Sequence, residues 1–227
     1  MRIPLTKYGW PQVLIFPAIV LAALVVYPLT GGVFSSAWAT IVIEAILALL
    51  LVGGLAFFRD PYRAVPPHNN ILLAPADGRI TDIEIVNEND FIGGPALRIG
   101  IFLTAFDVHI NRAPCNVKVE RITFREGKHR NAISPHSGRV NESNDLALVR
   151  TDRPEDRLIV RQISGAIARR IVCRVSKGQK LTGGEKFGMI KFGSRTELYL
   201  PARENAKCLV RVGDKVKAGL STLVRYQ

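Results

Sequence analysis

Two long apolar runs near the N-terminus constrain the fold of this chain more than any other feature. Residues 13–29 form an uncharged run of 17 residues, and residues 37–58 form a run of 22 in which only Glu44 is charged. As helices these runs would be about 25 and 33 Å long, against a hydrocarbon core of about 30 Å. The second run is therefore long enough to cross a bilayer, whereas the first is marginal and contains Pro17 and Pro28.

The flanking charges predict how these runs are oriented. Arg2 and Lys7 precede the first run, Arg59 and Arg63 follow the second, and the link at residues 30–36 has no charge. Because basic flanks tend to stay in the cytoplasm, we expect a membrane hairpin with both ends on that side. A cleaved signal peptide is disfavoured because a second apolar run follows the first. A pair of buried core helices is the alternative that stays open.

Beyond residue 60 the pattern changes to short apolar or alternating runs, rich in Val and Ile and separated by turn signals. The runs cover residues 79–86, 96–103, 117–125, 146–150, 158–163, 170–175, 187–192, 196–200 and 207–211. The sequence therefore predicts a mainly β fold. We expect a sandwich or hybrid barrel of short strands in residues 61–227, preceded by an α-helical membrane-anchoring hairpin in residues 1–60.

Two segments of this second part repeat one another. Residues 178–184 (GQKLTGG) and 213–219 (GDKVKAG) both fit the pattern G-x-K-[LV]-x-x-G. Such glycines are typical of turns with positive φ, and similar turns occur in biotinyl- and lipoyl-type hybrid barrels. Carrier domains of that kind commonly modify a lysine within M-K-M, whereas residues 189–192 read M-I-K-F, which argues against a swinging-arm carrier.

Charge and cysteine content limit the partners. The chain has 31 Lys and Arg against 19 Asp and Glu, a net charge of +12, but its cations are dispersed and no nucleic-acid-binding motif accompanies them. We expect no nucleic-acid partner and an attraction to an anionic leaflet, worth about 1 kcal/mol per well-placed cation.

Cys115, Cys173 and Cys208 are odd in number and lack a C-x-x-C spacing, which is typical of a reducing compartment. No set of residues with metal-ligand spacing is present, so no metal is predicted.

Two features suggest chemistry. Asp107 and His109 end an apolar run two residues apart, so an extended chain would project both to one face, where the carboxylate could orient the imidazole. Gly193-Ser194 lies between two predicted strands, where a hairpin corner is the ordinary explanation. The same pair also meets the needs of self-cleavage through a serine ester, because glycine lets the backbone bend toward the attacking hydroxyl.

Several segments, taken together, resemble one family in their order and spacing. They are residues 58–61 (FRDP), 74–78 (APADG), 106–114 (FDVHINRAP), 141–142 (NE) and 188–194 (GMIKFGS). Over nearly its whole length the chain resembles phosphatidylserine decarboxylase proenzymes, of the short bacterial type with an N-terminal membrane segment.

The resemblance implies a cut between Gly193 and Ser194, giving a β chain of residues 1–193 and an α chain of residues 194–227 that stay associated. Ser194 would become a pyruvoyl group, which forms a Schiff base with phosphatidylserine and accepts the electrons left as CO₂ departs. The product would be phosphatidylethanolamine. The resemblance and the hairpin orientation together predict the cell (inner) membrane, with the catalytic domain on the cytoplasmic side. A homo-oligomer is left open.

The resemblance also assigns roles to single residues. Asp77 matches an Asp-Gly position linked to an Asp-His-Ser relay for self-cleavage in longer relatives. His109 matches the first histidine of their D-x-H-x-x-H segment and would donate a proton. The second histidine falls on Arg112, which stays protonated and is no general base, so His109 serves both steps, or another group or water activates Ser194. Arg195 stands where longer relatives have threonine, and we expect Arg112 and Arg195 to bind the substrate's carboxylate or phosphate.

Two other functions stay open at this point. A membrane-anchored adaptor with a lipoyl-like β domain would not cleave itself and would tolerate Ser194→Ala, although such adaptors usually contain coiled-coil heptads, which this sequence lacks. A decarboxylase acting on another serine-headed lipid would react at the same amino-acid head.

Overall fold

A computed structural model describes residues 5–30, 36–67, 69–134, 136–166, 170–191 and 194–227. The chain divides into two compact units, Met1–Pro61 and Tyr62–Gln227. In the first unit a single 3₁₀ turn, Lys7–Gly9, precedes two helices, α1 (Gln12–Thr30) and α2 (Ala37–Phe57). The two apolar runs therefore form the two predicted helices.

The helices of the first unit pack on each other and expose apolar side chains. A Cβ atom on Gly54 of α2 would lie 2.2 Å from Cε1 of Phe16, so the missing side chain makes room for the α1 ring. Leu29 and Leu49 are each 72% exposed, and the buried residue of α2 is Phe57. Both helices are long and apolar enough to cross a membrane. The alternative of buried core helices is wrong, because core helices would cover these side chains.

The second unit is built from fourteen described strands and one short helix, α3 (Ser137–Val140). The strands are β1 (Ile71–Leu73), β2 (Gly78–Glu88), β3 (Gly94–Leu103), β4 (Ile110–Arg112), β5 (Val117–Arg125), β6 (Ser143–Arg150), β7 (Arg157–Ile163), β8 (Arg170–Cys173), β9 (Lys180–Leu181), β10 (Lys186–Lys191), β11 (Ser194–Pro201), β12 (Ala206–Cys208), β13 (Lys215–Val216) and β14 (Thr222–Tyr226).

The strands form three antiparallel sheets. The largest has the order β13-β2-β3-β11-β7-β6-β5-β9, and the two smaller ones are β4-β10-β8 and β1-β14-β12. The large sheet curls into a half-barrel. The predicted mainly β fold is thus confirmed, and all nine predicted strand runs contain a strand. The strands that the pattern missed (β1, β4, β9, β13 and β14) are two to five residues long, too short for alternation to be visible.

The core of this unit lies on one face of the large sheet. Strand β11 is paired on both sides, with β3 and with β7. Its Leu198 and Leu200 are fully buried and belong to the same cluster as Ile99 and Ile101 of β3 and Val160 of β7. Each such side chain stabilises the fold by about 1.5–3 kcal/mol. Because side chains alternate along a strand, Ser194 at the start of β11 shares the face of Leu198 and Leu200.

The sequence repeat corresponds to a structural one. The motif at residues 178–184 contains β9, which pairs with β5 at one edge of the large sheet, and the motif at residues 213–219 contains β13, which pairs with β2 at the other edge. Each motif begins and ends with a glycine of positive φ. Both motifs are therefore turns that lead into a two-residue edge strand.

Candidate active site

Ser194 begins the central strand of the large sheet. It lies opposite Leu103 of β3, and the next residue, Arg195, lies opposite Ile163 of β7. Strand β10, which ends at Lys191, belongs to a different sheet. The chain therefore passes from one sheet to another just before Ser194, and β10 and β11 are not the two arms of a hairpin. Gly193, the predicted residue before the cut, lies outside the described residues.

The Ser194 side chain is in an unusual environment for a hydroxyl. It is fully buried, and its Oγ has no hydrogen-bond partner among the residues that the structure describes. Leaving a buried hydroxyl without a partner costs about 1–3 kcal/mol, so such groups are rare in folded proteins. A hydroxyl that is consumed in a self-cleavage step fits this environment, and so does its replacement by a pyruvoyl group, which lacks the O–H donor.

Asp77 lies at the same end of the strands of the large sheet as Ser194. It precedes β2, whose Gly78 has φ +144°, and a Cβ atom there would lie 2.1 Å from the Phe102 carbonyl oxygen of β3. Glycine is therefore required at this position. Since β2, β3 and β11 are neighbours, Asp77 and Ser194 start two strands that are separated by two strand spacings, about 10 Å.

The Asp77 carboxylate is held by a partner that sequence reasoning did not assign to the site. Arg63 donates from Nη1 to Oδ1 at 2.6 Å and from Nη2 to Oδ2 at 2.7 Å, and both side chains are largely buried. The backbone N–H of Ala218 donates to the same Oδ1 at 2.8 Å. Bidentate pairing of this kind fixes the orientation of the carboxylate.

His109 is fully buried and follows the turn after β3. Its Nδ1 lies 2.9 Å from the Asp107 carbonyl oxygen, and because a carbonyl only accepts, Nδ1 has the proton and Nε2 is the basic nitrogen. The predicted orientation by the Asp107 carboxylate is wrong. That carboxylate instead accepts from the backbone N–H and the hydroxyl of Thr104, which satisfies the turn.

One backbone hydrogen bond and one side-chain hydrogen bond connect the segment of His109 with the residues around Ser194. The His109 carbonyl accepts from the backbone N–H of Ile190 in β10 at 3.2 Å, four residues before Ser194. Two residues after His109, the Asn111 amide donates to Thr196 Oγ1 at 3.0 Å, and Thr196 shares the face of Ser194 on β11.

Asn111 belongs to a chain of buried amides that sequence reasoning missed. Gln162 donates to Asn111 Oδ1 at 2.8 Å, and Asn144 donates to Gln162 Oε1 at 3.0 Å. These side chains are all buried. Asn111 falls within the 106–114 motif, which was the one sequence signal for it, whereas Gln162 and Asn144 lie in ordinary strand runs.

The two arginines that were predicted to bind substrate make internal contacts. Arg112 is buried and donates from Nη1 to the Gly184 carbonyl oxygen at 2.9 Å. Arg195 is fully buried and donates to Glu197 at 2.8 Å, to Thr81 at 2.7 Å and to Asp82 at 2.6 Å. Substrate binding by Arg112 and Arg195 stays a prediction, and the buried contacts of Arg195 point to a structural role.

Lys191 adds positive charge just before Ser194. It is buried at the end of β10 and lies opposite Arg170 of β8. Burial lowers the pKa of Lys191, and the nearby charges of Arg170 and Arg174 lower it further. Lys191, shortly before Ser194 in the chain, therefore lies close to two other basic side chains, and sequence reasoning did not single out this cluster.

Comparison with known proteins decides the family. The model of the family described as phosphatidylserine decarboxylase matches residues 54–224, well over half of the chain. The chain belongs to the phosphatidylserine decarboxylase family. The matched region of this family contains the whole of β1–β13 and each residue of the candidate site.

Curated members of the phosphatidylserine decarboxylase family match at similar levels over most of their length. A protein of Symbiobacterium thermophilum is 40% identical over 226 residues, which cover 99% of this chain and 97% of the relative. A protein of Rhodopirellula baltica is 40% identical over 225 residues (96% and 91%). One of Carboxydothermus hydrogenoformans is 42% identical over 179 residues (79% and 82%). Each bears the name phosphatidylserine decarboxylase proenzyme.

Proposed function

We propose that this protein decarboxylates phosphatidylserine to phosphatidylethanolamine, using a pyruvoyl group made from its own Ser194. The observation that supports this most is the buried Ser194 hydroxyl without a described partner, at the first position of β11 and in the Gly193-Ser194 pair. The names of the relatives, which include the word proenzyme, support both the substrate and the self-cleavage.

The proposed self-cleavage uses Ser194 as an internal nucleophile. Its Oγ attacks the carbonyl carbon of Gly193, and the acyl group moves from nitrogen to oxygen, which leaves an ester. Loss of the Ser194 α-proton then breaks the Cβ–Oγ bond, and Gly193 leaves as a carboxylate. Water hydrolyses the remaining unsaturated amine with release of ammonia, so that the chain of residues 194–227 begins with a pyruvoyl group.

Two residues of the candidate site are suited to proton transfer. Because Nδ1 of His109 lies 2.9 Å from a backbone carbonyl oxygen and donates to it, Nε2 is the nitrogen that would take up a proton in one step and return it in another. Asp77, paired with Arg63, would contribute negative charge at the same end of the strands during self-cleavage. The pyruvoyl carbonyl would supply the electron-accepting group that decarboxylation of an amino acid needs.

The proposed pieces of 1–193 and 194–227 would stay together because the smaller one is built into two sheets. It contains β11, which is paired on both sides by strands of the larger piece, and β13, which pairs with β2. It also contains β14, which pairs with β1. Separation would expose the apolar residues of β11, so association needs no covalent link.

For its location we propose the inner face of the cell membrane. Two helices long and apolar enough to span a bilayer, and the net charge of +12, support a cytoplasmic catalytic unit that meets an anionic leaflet. If so, activity of a form without residues 1–60 depends on anionic lipid and falls with salt. Unchanged activity of that form in high salt and in neutral vesicles would contradict this location of the site.

The experiment for the reaction uses vesicles of phosphatidylserine and the purified full chain in detergent. We expect formation of phosphatidylethanolamine with release of CO₂ by the wild-type protein and none by Ser194→Ala. Vesicles of other serine-headed lipids, assayed in parallel, separate substrates that share the same head. An adaptor would give no product from any of them, and that result would overturn the proposal.

A further inference from the structure

The residue that follows Ser194 lies at the centre of a buried ion-pair network on the other face of the sheet. Arg195 is fully buried and donates from Nε to Glu197, from Nη1 to Thr81 and from Nη2 to Asp82. A Cβ atom on Gly100 would lie 2.0 Å from Arg195 Nη2. The bare Gly100 backbone therefore makes the space in which the guanidinium lies.

The network extends across six strands of the sheet, β2, β3, β11, β7, β6 and β5. Arg98 contacts Asp82 at 3.3 Å, and Tyr199 donates to Glu197 at 2.6 Å. Arg161 contacts Glu197 at 3.8 Å. Within the described residues, its charged members are four arginines and four carboxylates: Arg98, Arg125, Arg161, Arg195, Asp82, Glu84, Asp145 and Glu197.

Arg125 and Glu84 are about half exposed at the ends of the network, and the balance of charges makes the burial of the other six groups tolerable. The network also crosses the proposed cleavage site. Arg195 and Glu197 belong to the piece that begins at Ser194, whereas Thr81 and Asp82 belong to the larger piece. After cleavage the contacts of Arg195 with Thr81 and Asp82 would therefore join two separate chains. No other charged side chain of the smaller piece lies closer along the sequence to the new end.

Formation of the pyruvoyl group at residue 194 increases the need for contacts that hold Arg195 in place. Conversion of Ser194 to a pyruvoyl group replaces its backbone nitrogen by a carbonyl oxygen, so residue 194 loses its N–H donor. It also becomes a chain end, and chain ends fray unless they are held. Arg195 is then the first residue with a backbone N–H, and its side chain fastens it to β2 through Asp82 and Thr81.

We propose that Arg195 is a positioning residue that keeps the cofactor-bearing end of the small chain in register between β3 and β7 after cleavage. This inference rests on the proposed self-cleavage at Ser194. In this role Arg195 acts by holding the adjacent residue 194 in place, and it does not contact the substrate. A shift of about 1 Å at the reacting group is enough to lower a rate about 100-fold.

The test compares Arg195→Lys with Arg203→Lys. Lysine keeps the positive charge near Asp82 and Glu197, but its single ammonium group lacks the planar fork that reaches three partners. Arg203 is a matched control, since it lies on the same small piece and donates to Asp156 of the larger piece at 2.7 Å, at the far end of β11. We expect Arg195→Lys to cleave fully and to lose kcat about 10- to 100-fold with a KM within about twofold, whereas Arg203→Lys keeps kcat.

Hydrogen exchange gives a readout that does not depend on turnover. In the wild-type protein, the amides of residues 195–199 should stay as protected after cleavage as in uncleaved Ser194→Ala. In cleaved Arg195→Lys they should exchange at least about tenfold faster, while those of cleaved Arg203→Lys stay protected. Asp82→Asn, which weakens the same contact from the larger chain, should behave like Arg195→Lys, and it replaces that variant if Arg195→Lys does not fold.

The outcomes separate the inference from the proposed function. A wild-type chain that is never cut overturns the proposed function, and this inference with it. A cut and active wild-type protein whose residues 195–199 lose protection on cleavage overturns the inference alone. The same holds if Arg195→Lys matches Arg203→Lys in both kcat and exchange, because the network would then be structural only.

Discussion

The Asn111 amide donates a 3.0 Å hydrogen bond to Thr196 Oγ1, and this bond joins the segment of His109 to the strand of Ser194. The two partners are 85 residues apart in sequence. Both are fully buried, so the bond is shielded from water and sets the position of one segment against the other. The relative placement of His109 and Ser194 therefore depends on a pair that takes no part in the chemistry itself.

Replacement of Thr196 by valine should uncouple these segments. The variant keeps the shape of the side chain but removes the nearer of two acceptors of the Asn111 amide, the other being the Pro75 carbonyl oxygen at 3.4 Å. A buried donor that loses its partner costs about 1–3 kcal/mol. We expect Thr196→Val to lower decarboxylation about tenfold or more through misplacement of His109, measured on vesicles after cleavage is complete. Thr123→Val, on β5 three strands from β11, is the control. Equal activity of the two variants would show that the bond does not position His109.

The Arg63–Asp77 pair allows the structural and chemical roles of Asp77 to be separated. Either Arg63→Met or Asp77→Asn leaves a buried charge without its partner, which should lower the free energy of unfolding by about 3–5 kcal/mol. The double variant removes both charges and should recover most of that loss. If Asp77 assists self-cleavage, both Asp77→Asn and the double variant remain uncut for far longer than Arg63→Met. A double variant that cleaves at the wild-type rate would limit Asp77 to a structural role.

The Cys115 thiol should be the least reactive of the three. It is 1% exposed, and burial raises the pKa of Cys115 to about 12 from an ordinary value of 9.0. As the pH rises, the unfolded chain therefore loses the Cys115 proton before the folded chain does. The contribution of Cys115 to stability is intact below pH 9 and is lost as the pH rises through about 12. Alkylation at pH 8, followed by peptide mass analysis, should modify the half-buried Cys208 well before Cys115. Labelling of Cys115 at the rate seen in denaturant would contradict this.

Much of the fold could be read from the sequence because it rests on local patterns. Apolar runs of 17 and 22 residues, the second with Glu44 as its one charge, predict α1 and α2, and short Val- and Ile-rich runs predict the longer strands. The pairing of β11 between β3 and β7 was not predictable, since register is set by contacts between residues about 30 to 100 positions apart. The same limit applies to the division of strands between three sheets.

Part of the candidate site could likewise be predicted from the sequence, and part could not. Ser194, His109 and Asp77 were found because each lies in a short motif that resembles a family. Arg63 was noted only as a charge that flanks the second apolar run, and nothing in its neighbourhood indicates that it pairs with Asp77. The internal contacts of Arg195 depend on Gly100 and Asp82, which only folding brings alongside it. Side chains that act through distant partners need the structure to be found.

The intact mass of the purified wild-type chain, beside Ser194→Ala, tests the central proposal most directly. We predict two pieces of 193 and 34 residues from the 227-residue wild-type chain. The smaller piece should be lighter by one ammonia than a peptide that begins with serine, and Ser194→Ala should give one uncut mass. A single uncut mass for the wild-type protein as well, after purification in detergent with lipid, would contradict the formation of a pyruvoyl group at Ser194.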